Sequence, residues 1–128
     1  MVSRERLDEF LRGRCWAVVG ASPDRTKFGN ITFRELRSRG KKVYPVNLRA
    51  KEVEDEVCYP SLAALPEIVD RVLVVVPPRQ GENVVKEADK VGIRSVWFQP
   101  GAESEGALAY CEAHGIEAVA GHCILHTR

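Results

Sequence analysis

No run in this chain approaches the roughly 18 consecutive apolar residues that a membrane-spanning helix needs. The opening Met1-Val2-Ser3-Arg4-Glu5-Arg6 leads into no apolar stretch, so neither a signal peptide nor a membrane partner is expected. Bias toward one charge is also missing. Nineteen Lys and Arg face 18 Asp and Glu, a net charge of +1, which argues against a nucleic-acid partner held by bulk electrostatics. The four cysteines, Cys15, Cys58, Cys111 and Cys123, form no C-x-x-C pair. A chain of 128 residues can bury a core without crosslinks, so the expectation is one reduced, cytoplasmic domain over residues 1–128. His122, Cys123 and His126 have no fourth ligand spaced nearby and make a poor metal set. The glycine signatures are absent too. A G-x-G-x-x-G turn would need glycines at 22 and 25, where Ser22 and Arg25 stand, and the Walker pattern does not occur.

What is present is a repeated alternation of short apolar runs with helical spacings. Residues 1–13 carry one helix, with Leu7, Phe10 and Leu11 on one face, Ser3 as its cap and Gly13 as its stop, packing on the outside of a sheet. Strands are predicted at 15–19, 42–46, 72–76, 95–98 and 116–120, and helices at about 31–39, 80–91 and 103–114. This pattern predicts an α/β domain, a Rossmann-like open, mostly parallel sheet with helices on both faces. Val72-Leu73-Val74-Val75-Val76 is apolar on both faces and reads as central. Pro45 places its strand at an edge or a bulge. Residues 48–56 read as a solvated connection, 57–59 as a short third strand at the sheet edge, 61–66 as one helical turn, and 121–128 as a tail. Trp16 and Trp97 read as core, and His114 as a helix-end charge.

The first strand ends in Gly20-Ala21-Ser22, and a basic loop with Arg25 and Lys27 then leads to Gly29 at a helix start. Small residues let a ligand approach the backbone, and a helix N-terminus offers free N–H groups to an anion. In an open α/β sheet, ligands sit outside the carboxyl ends of the strands. Three further tips should border that crevice: Asn47, Val76-Pro77-Pro78 and Gln99-Pro100-Gly101. Turn chemistry alone accounts for part of this pattern, but less well for the two cations and the two amides. Asn47 stands where an NAD site wants an acid for the ribose hydroxyls.

The residues so far resemble those of the small stand-alone CoA-binding proteins, similar to the N-terminal CoA-binding domain of the succinyl-CoA synthetase α subunit. The resemblance rests, in order, on Gly20-Ala21-Ser22 with Lys27-x-Gly29, Val43-Tyr44-Pro45-Val46-Asn47, Tyr59-Pro60-Ser61-Leu62, Leu65-Pro66, Val69-Asp70, Trp97-x-Gln99-x-Gly101 and Cys123-Ile124. It implies coenzyme A, free or acylated, as ligand. Gly20, Ser22 and Lys27 would hold the phosphates, Val46 and Asn47 would border the adenosine, Val76 and Pro77 would line the groove, and Gln99 and Gly101 would close its far side. Leu48 replaces a usual proline, Pro100 and Ala102 replace apolar residues, and Gly121-His122 replaces a polar–arginine pair.

Residues and resemblance together point to a CoA or acyl-CoA binding protein without catalysis of its own. The alternatives are an NAD-type or mononucleotide binder, an acyl-CoA thioesterase or transferase using Cys123, and an interaction module that has lost its ligand. For the enzyme reading, Cys123 needs a base held by a third group. Adjacent His122 would point to the opposite face if both lay on a strand.

Overall fold

The computed structural model describes residues 2–128. The first helix, α1 (Arg4–Leu11), starts at Ser3, whose hydroxyl oxygen accepts the Arg6 N–H. The strand β1 (Cys15–Val19) follows, then α2 (Phe28–Ser38) and β2 (Lys42–Val46). A two-residue hairpin comes next, β3 (Glu52–Val53) and β4 (Glu56–Val57). After a 3₁₀ turn at Leu62–Ala64, inside the helical turn expected over 61–66, the remaining strands and α-helices are β5 (Arg71–Val74), α3 (Pro78–Val91), β6 (Ser95–Phe98), α4 (Glu105–Ala113) and β7 (Glu117–Val119).

The five main strands lie in the order β2-β1-β5-β6-β7, all parallel. The Rossmann-like fold is therefore the one its alternating pattern implies. The all-apolar strand β5 is central and proline-bearing β2 is an edge, as their sequences require. The chain leaves β1 toward β2 and later returns to β1's other side as β5. The topological switch point, where open α/β sheets hold ligands, thus falls between the tips of β1 and β5.

Alternation along each strand sends successive side chains to opposite faces. Ala17, Val19, Val72, Val74, Val96 and Phe98 face one core with α3 and α4. Trp16, Val18, Leu73 and Trp97 face the other with α1 and α2, and both tryptophans are fully buried. Phe10 sets its ring edge-on to both indoles, with centroids 5.8 and 5.6 Å away, which fixes α1 on the sheet.

α2 starts at Phe28, three residues ahead of the expected 31, and three expectations about the connecting segments need correction. Residues 48–56 are not a plain solvated connection, because they enter the β3–β4 hairpin, which buries Val53 completely. The edge strand predicted at 57–59 reduces to one parallel bridge of Tyr59 to Val46, with Tyr59 N–H on Pro45 O at 3.0 Å and Asn47 N–H on Tyr59 O at 2.9 Å. Proline leaves the outer side of β2 short of a donor, and a single bridge covers it. The last eight residues are not a loose tail: Ile124–His126 form a 3₁₀ turn and Ile124 is fully buried.

Candidate functional site

The first βα turn is built by close approach. Gly20 has φ +101°, and a side chain there would collide with the Val75 carbonyl at the end of β5. A methyl on Gly29 would overlap the Gly20 carbonyl oxygen. The two glycines thus let the turn after β1 lie directly between the tip of β5 and the start of α2. Asn47 braces this turn from β2, its Nδ2 donating to Ala21 O at 2.7 Å while its Oδ1 accepts the N–H groups of Arg49 and Ala50. Asn30 braces it from below. It is fully buried, and its Nδ2 donates to Ser22 O at 2.9 Å and to Glu54 Oε2 at 3.1 Å.

No side chain caps α2, whose N-cap residue is Lys27. A lysine cannot accept from the first helical N–H groups, so the positive end of the helix stays open to an anion. Lys27 is exposed and forms no ion pair among the described residues. Arg25 stands differently. Its Nε lies 3.4 Å from Glu54 Oε2 on the hairpin, and its carbonyl accepts from Arg34. The loop also holds a carboxylate. Hydrogen bonds from the Thr26 hydroxyl and backbone to Asp24, with Lys27 nearby, keep the Asp24 carboxyl below its ordinary range. Ser22 Oγ accepts the Asp24 N–H at 3.0 Å. Like α2, α3 has no side-chain cap. It begins with Pro77-Pro78, and proline's fixed φ suits a first helical turn. By contrast, Ser104 caps α4, accepting the Ala107 N–H at 3.0 Å.

Two hollows open at the strand tips and share Val76 as a common wall. The first, about 780 Å³, is polar and apolar in equal part. It is lined by Gly20, Val46, Asn47 and Val76 among the sequence-predicted residues, with Arg49 and Gln80 among those the sequence did not single out. The second, about 520 Å³, is mostly apolar and includes the predicted Val76, Pro77, Gln99 and Gly101. Its other walls include Phe28 at the first turn of α2 and Cys123, Leu125 and His126 from the C-terminal turn. Of the remaining predicted residues, Ala21 and Gly29 are buried beneath the turn, while Ser22, Arg25 and Lys27 line neither hollow.

The amides at the strand tips are occupied. Gln99 Oε1 accepts the Ile124 N–H at 2.7 Å, and its Nε2 lies 3.4 Å from Cys123 Sγ. Gln99 therefore anchors the C-terminal turn as a wall. His122 and Cys123 do not lie on a strand, so the opposite-face expectation does not hold for them. The segment is irregular there, and the His122 carbonyl accepts from Trp97 Nε1 at 2.8 Å. His114 does sit at a helix end, stacked on Tyr110 with centroids 3.9 Å apart.

Some missed lining residues left a signal. Gln80, Asn83 and Glu87 are polar at i, i+3 and i+7 on α3, a stripe beside the mixed hollow. The C-terminal wall left none, since an irregular segment has no period to read.

A parallel sheet with an uncapped helix start at its switch point, flanked by a mixed and an apolar hollow, defines a Rossmann-like domain with a two-part crevice at its strand tips. The family described as CoA binding domain matches residues 14–128, and this chain belongs to it. The chain is 38% identical over 91 residues to the ADP-forming acetate–CoA ligase II subunit alpha of Pyrococcus furiosus, covering 70% of this chain and 20% of that subunit. It therefore spans about a fifth of that relative's length. A conserved hypothetical protein from Pyrococcus furiosus superposes with a TM-score of 0.84 at 46% identity, over 88% of this chain and 97% of that one. A hypothetical protein from Pyrococcus horikoshii superposes with a TM-score of 0.95 at 33% identity, over 98% and 89%. No helix among the described residues is long and apolar enough to cross a membrane.

Proposed function

We propose that the chain binds coenzyme A or an acyl-CoA in the crevice and carries out no chemistry on it. One observation carries this reading: a mixed hollow and an apolar hollow meet at Val76, beside an uncapped helix start bearing Lys27. CoA has matching parts in a matching order: a nucleotide, charged phosphates and a long, less polar arm. In this arrangement the adenosine lies in the mixed hollow near Val46, Asn47 and Arg49. The phosphates meet the first turn, the α2 N–H groups and Lys27, and the arm runs past Val76 and Pro77 toward Gln99 and Gly101. Arg25 joins the phosphates only by leaving Glu54.

The binding-only part rests on the surroundings of the thiols. Cys123 is the one cysteine that lines either hollow, and its sulfur is approached by the Gln99 amide, with no histidine ring or carboxylate bonded to it among the described residues. Burial pushes Cys15, Cys58 and Cys111 above their ordinary value, which disfavours the nucleophilic thiolate.

Native mass spectrometry of the purified protein mixed with CoA tests the binding. A fixed increment of one CoA per chain is expected, and none with NAD at equal concentration. An NAD adduct in the absence of a CoA adduct would overturn the assignment. Incubation with acetyl-CoA should release no thiol above the uncatalysed rate. Turnover abolished by Cys123→Ser would restore the enzyme reading.

A further inference from the structure

We infer that the apolar hollow receives the acyl group of a thioester and selects for an uncharged acyl chain over one ending in a carboxylate. The inference rests on the proposed CoA site and adds the class of ligand.

The walls of the hollow contain no lysine or arginine, their one imidazole belongs to the exposed residue His126, and the N–H groups at the start of α2 beside Phe28 are the ones the phosphates take in the proposed arrangement. Five of the nine backbone N–H groups on its walls are spent within the protein. The N–H of Val75 goes to Val19 O at 2.8 Å, that of Gln99 to Val74 O at 3.1 Å and that of Ala102 to Gln99 O at 2.9 Å. The Gly101 N–H goes to Glu103 Oε1 at 3.0 Å, and the His126 N–H to Cys123 O at 3.0 Å. Pro77 and Pro100 have no N–H to offer. Both ends of the Gln99 amide are engaged. A carboxylate placed in the interior would lose its water and meet no lysine or arginine in return, which is unfavourable in a mostly apolar site. The two amides of the CoA arm face the same objection. They fit the rim at Val76 and Pro77 better than the interior, which leaves the interior to whatever follows the sulfur. A volume of about 520 Å³ is ample for a short aliphatic or aromatic group.

Each buried methylene contributes about 0.8 kcal/mol, roughly a fourfold change in Kd. Titration calorimetry with CoA, acetyl-CoA, butanoyl-CoA and succinyl-CoA tests the inference. Butanoyl-CoA should bind roughly tenfold more tightly than acetyl-CoA, and succinyl-CoA at least roughly tenfold more weakly than butanoyl-CoA. Leu125→Arg, which puts a cation in the wall, should shift the succinyl-to-butanoyl ratio toward succinyl. The inference falls if succinyl-CoA and butanoyl-CoA bind the parent protein equally, or if butanoyl-CoA gains nothing over acetyl-CoA. Binding of CoA with a flat acyl series would sink this inference alone. Failure of CoA and all its esters to bind would sink the proposed site and this inference together.

Discussion

Asn47 Nδ2 donates to the Ala21 carbonyl at 2.7 Å, so the residue at the tip of the second strand holds the first turn in place. Its carbonyl oxygen is also taken, by Arg49 and Ala50. Asn47→Asp keeps an oxygen for those two N–H groups but sets a second oxygen against the Ala21 carbonyl. We expect a loss of about 1–3 kcal/mol in urea unfolding, the range for a broken hydrogen bond that leaves a buried acceptor unpaired. Unchanged stability would mean that the turn is held by its glycines alone.

Lys27→Ala should weaken CoA binding about tenfold or more, since a hydrogen bond to a charged group contributes about 1.5–3 kcal/mol. The unliganded protein should be as stable as before or slightly more so, because a cation at a helix N-terminus is mildly unfavourable. Calorimetry at two salt concentrations should also show a shallower salt dependence for the variant. Equal affinity in both proteins would move the phosphates away from this loop.

Gly29→Ala forces a methyl against the Gly20 carbonyl oxygen, with backbone rather than a flexible side chain as the obstacle. Overpacking of this kind costs about 1–3 kcal/mol. A melting temperature lowered by several degrees is expected, together with weakened CoA binding, because α2 must back away from the turn. A variant that melts with the parent would show that α2 can shift without cost.

CoA should raise the melting temperature, because it binds only the folded chain, and NAD should do so much less. Asn47 offers no carboxylate to the ribose hydroxyls and its own amide is engaged. A larger shift with NAD at equal concentration would favour the mononucleotide reading.

Burial pushes the Cys111 thiol up to about 11 from an ordinary 9.0. The folded state therefore holds this proton more firmly than the unfolded state does. Its stabilising contribution is complete below pH 9 and is lost as the pH rises toward 11. Urea unfolding across this range should show a shallower decline for Cys111→Ala than for the parent. A thiol reagent at pH 8 should modify Cys123 first, and bound CoA should slow that reaction. Early modification of Cys111 in the folded protein would contradict its burial.

The fold was legible where burial writes a period. The two-sided apolar run of β5 marked the centre of the sheet, and Pro45 marked an edge. The start of α2 was misread by three residues, since Phe28-Gly29-Asn30 carries no apolar spacing and is held by contacts with the turn. Asn30 carries no mark in the sequence of what it does. Its role depends on Ser22 and Glu54, which lie 8 and 24 residues away. The same limit hid the walls of the apolar hollow, because Gln99 meets Ile124 across 25 residues and through one backbone N–H. The residue types at the crevice could be read, but the partners already occupying Asn47, Arg25 and Gln99 could not.

Arg39, at the C-terminal end of α2, donates to the carbonyls of Ile124 at 2.8 Å and Thr127 at 2.9 Å. The opposite end of α2 sets Phe28 in the wall of the apolar hollow. One helix thus acts as a beam: its first turn forms one wall of the apolar hollow, and its other end braces the C-terminal turn that forms another. The spacing between these two walls is set by an element of regular rise and not by loop conformation, so the hollow comes with a built-in ruler for its own width.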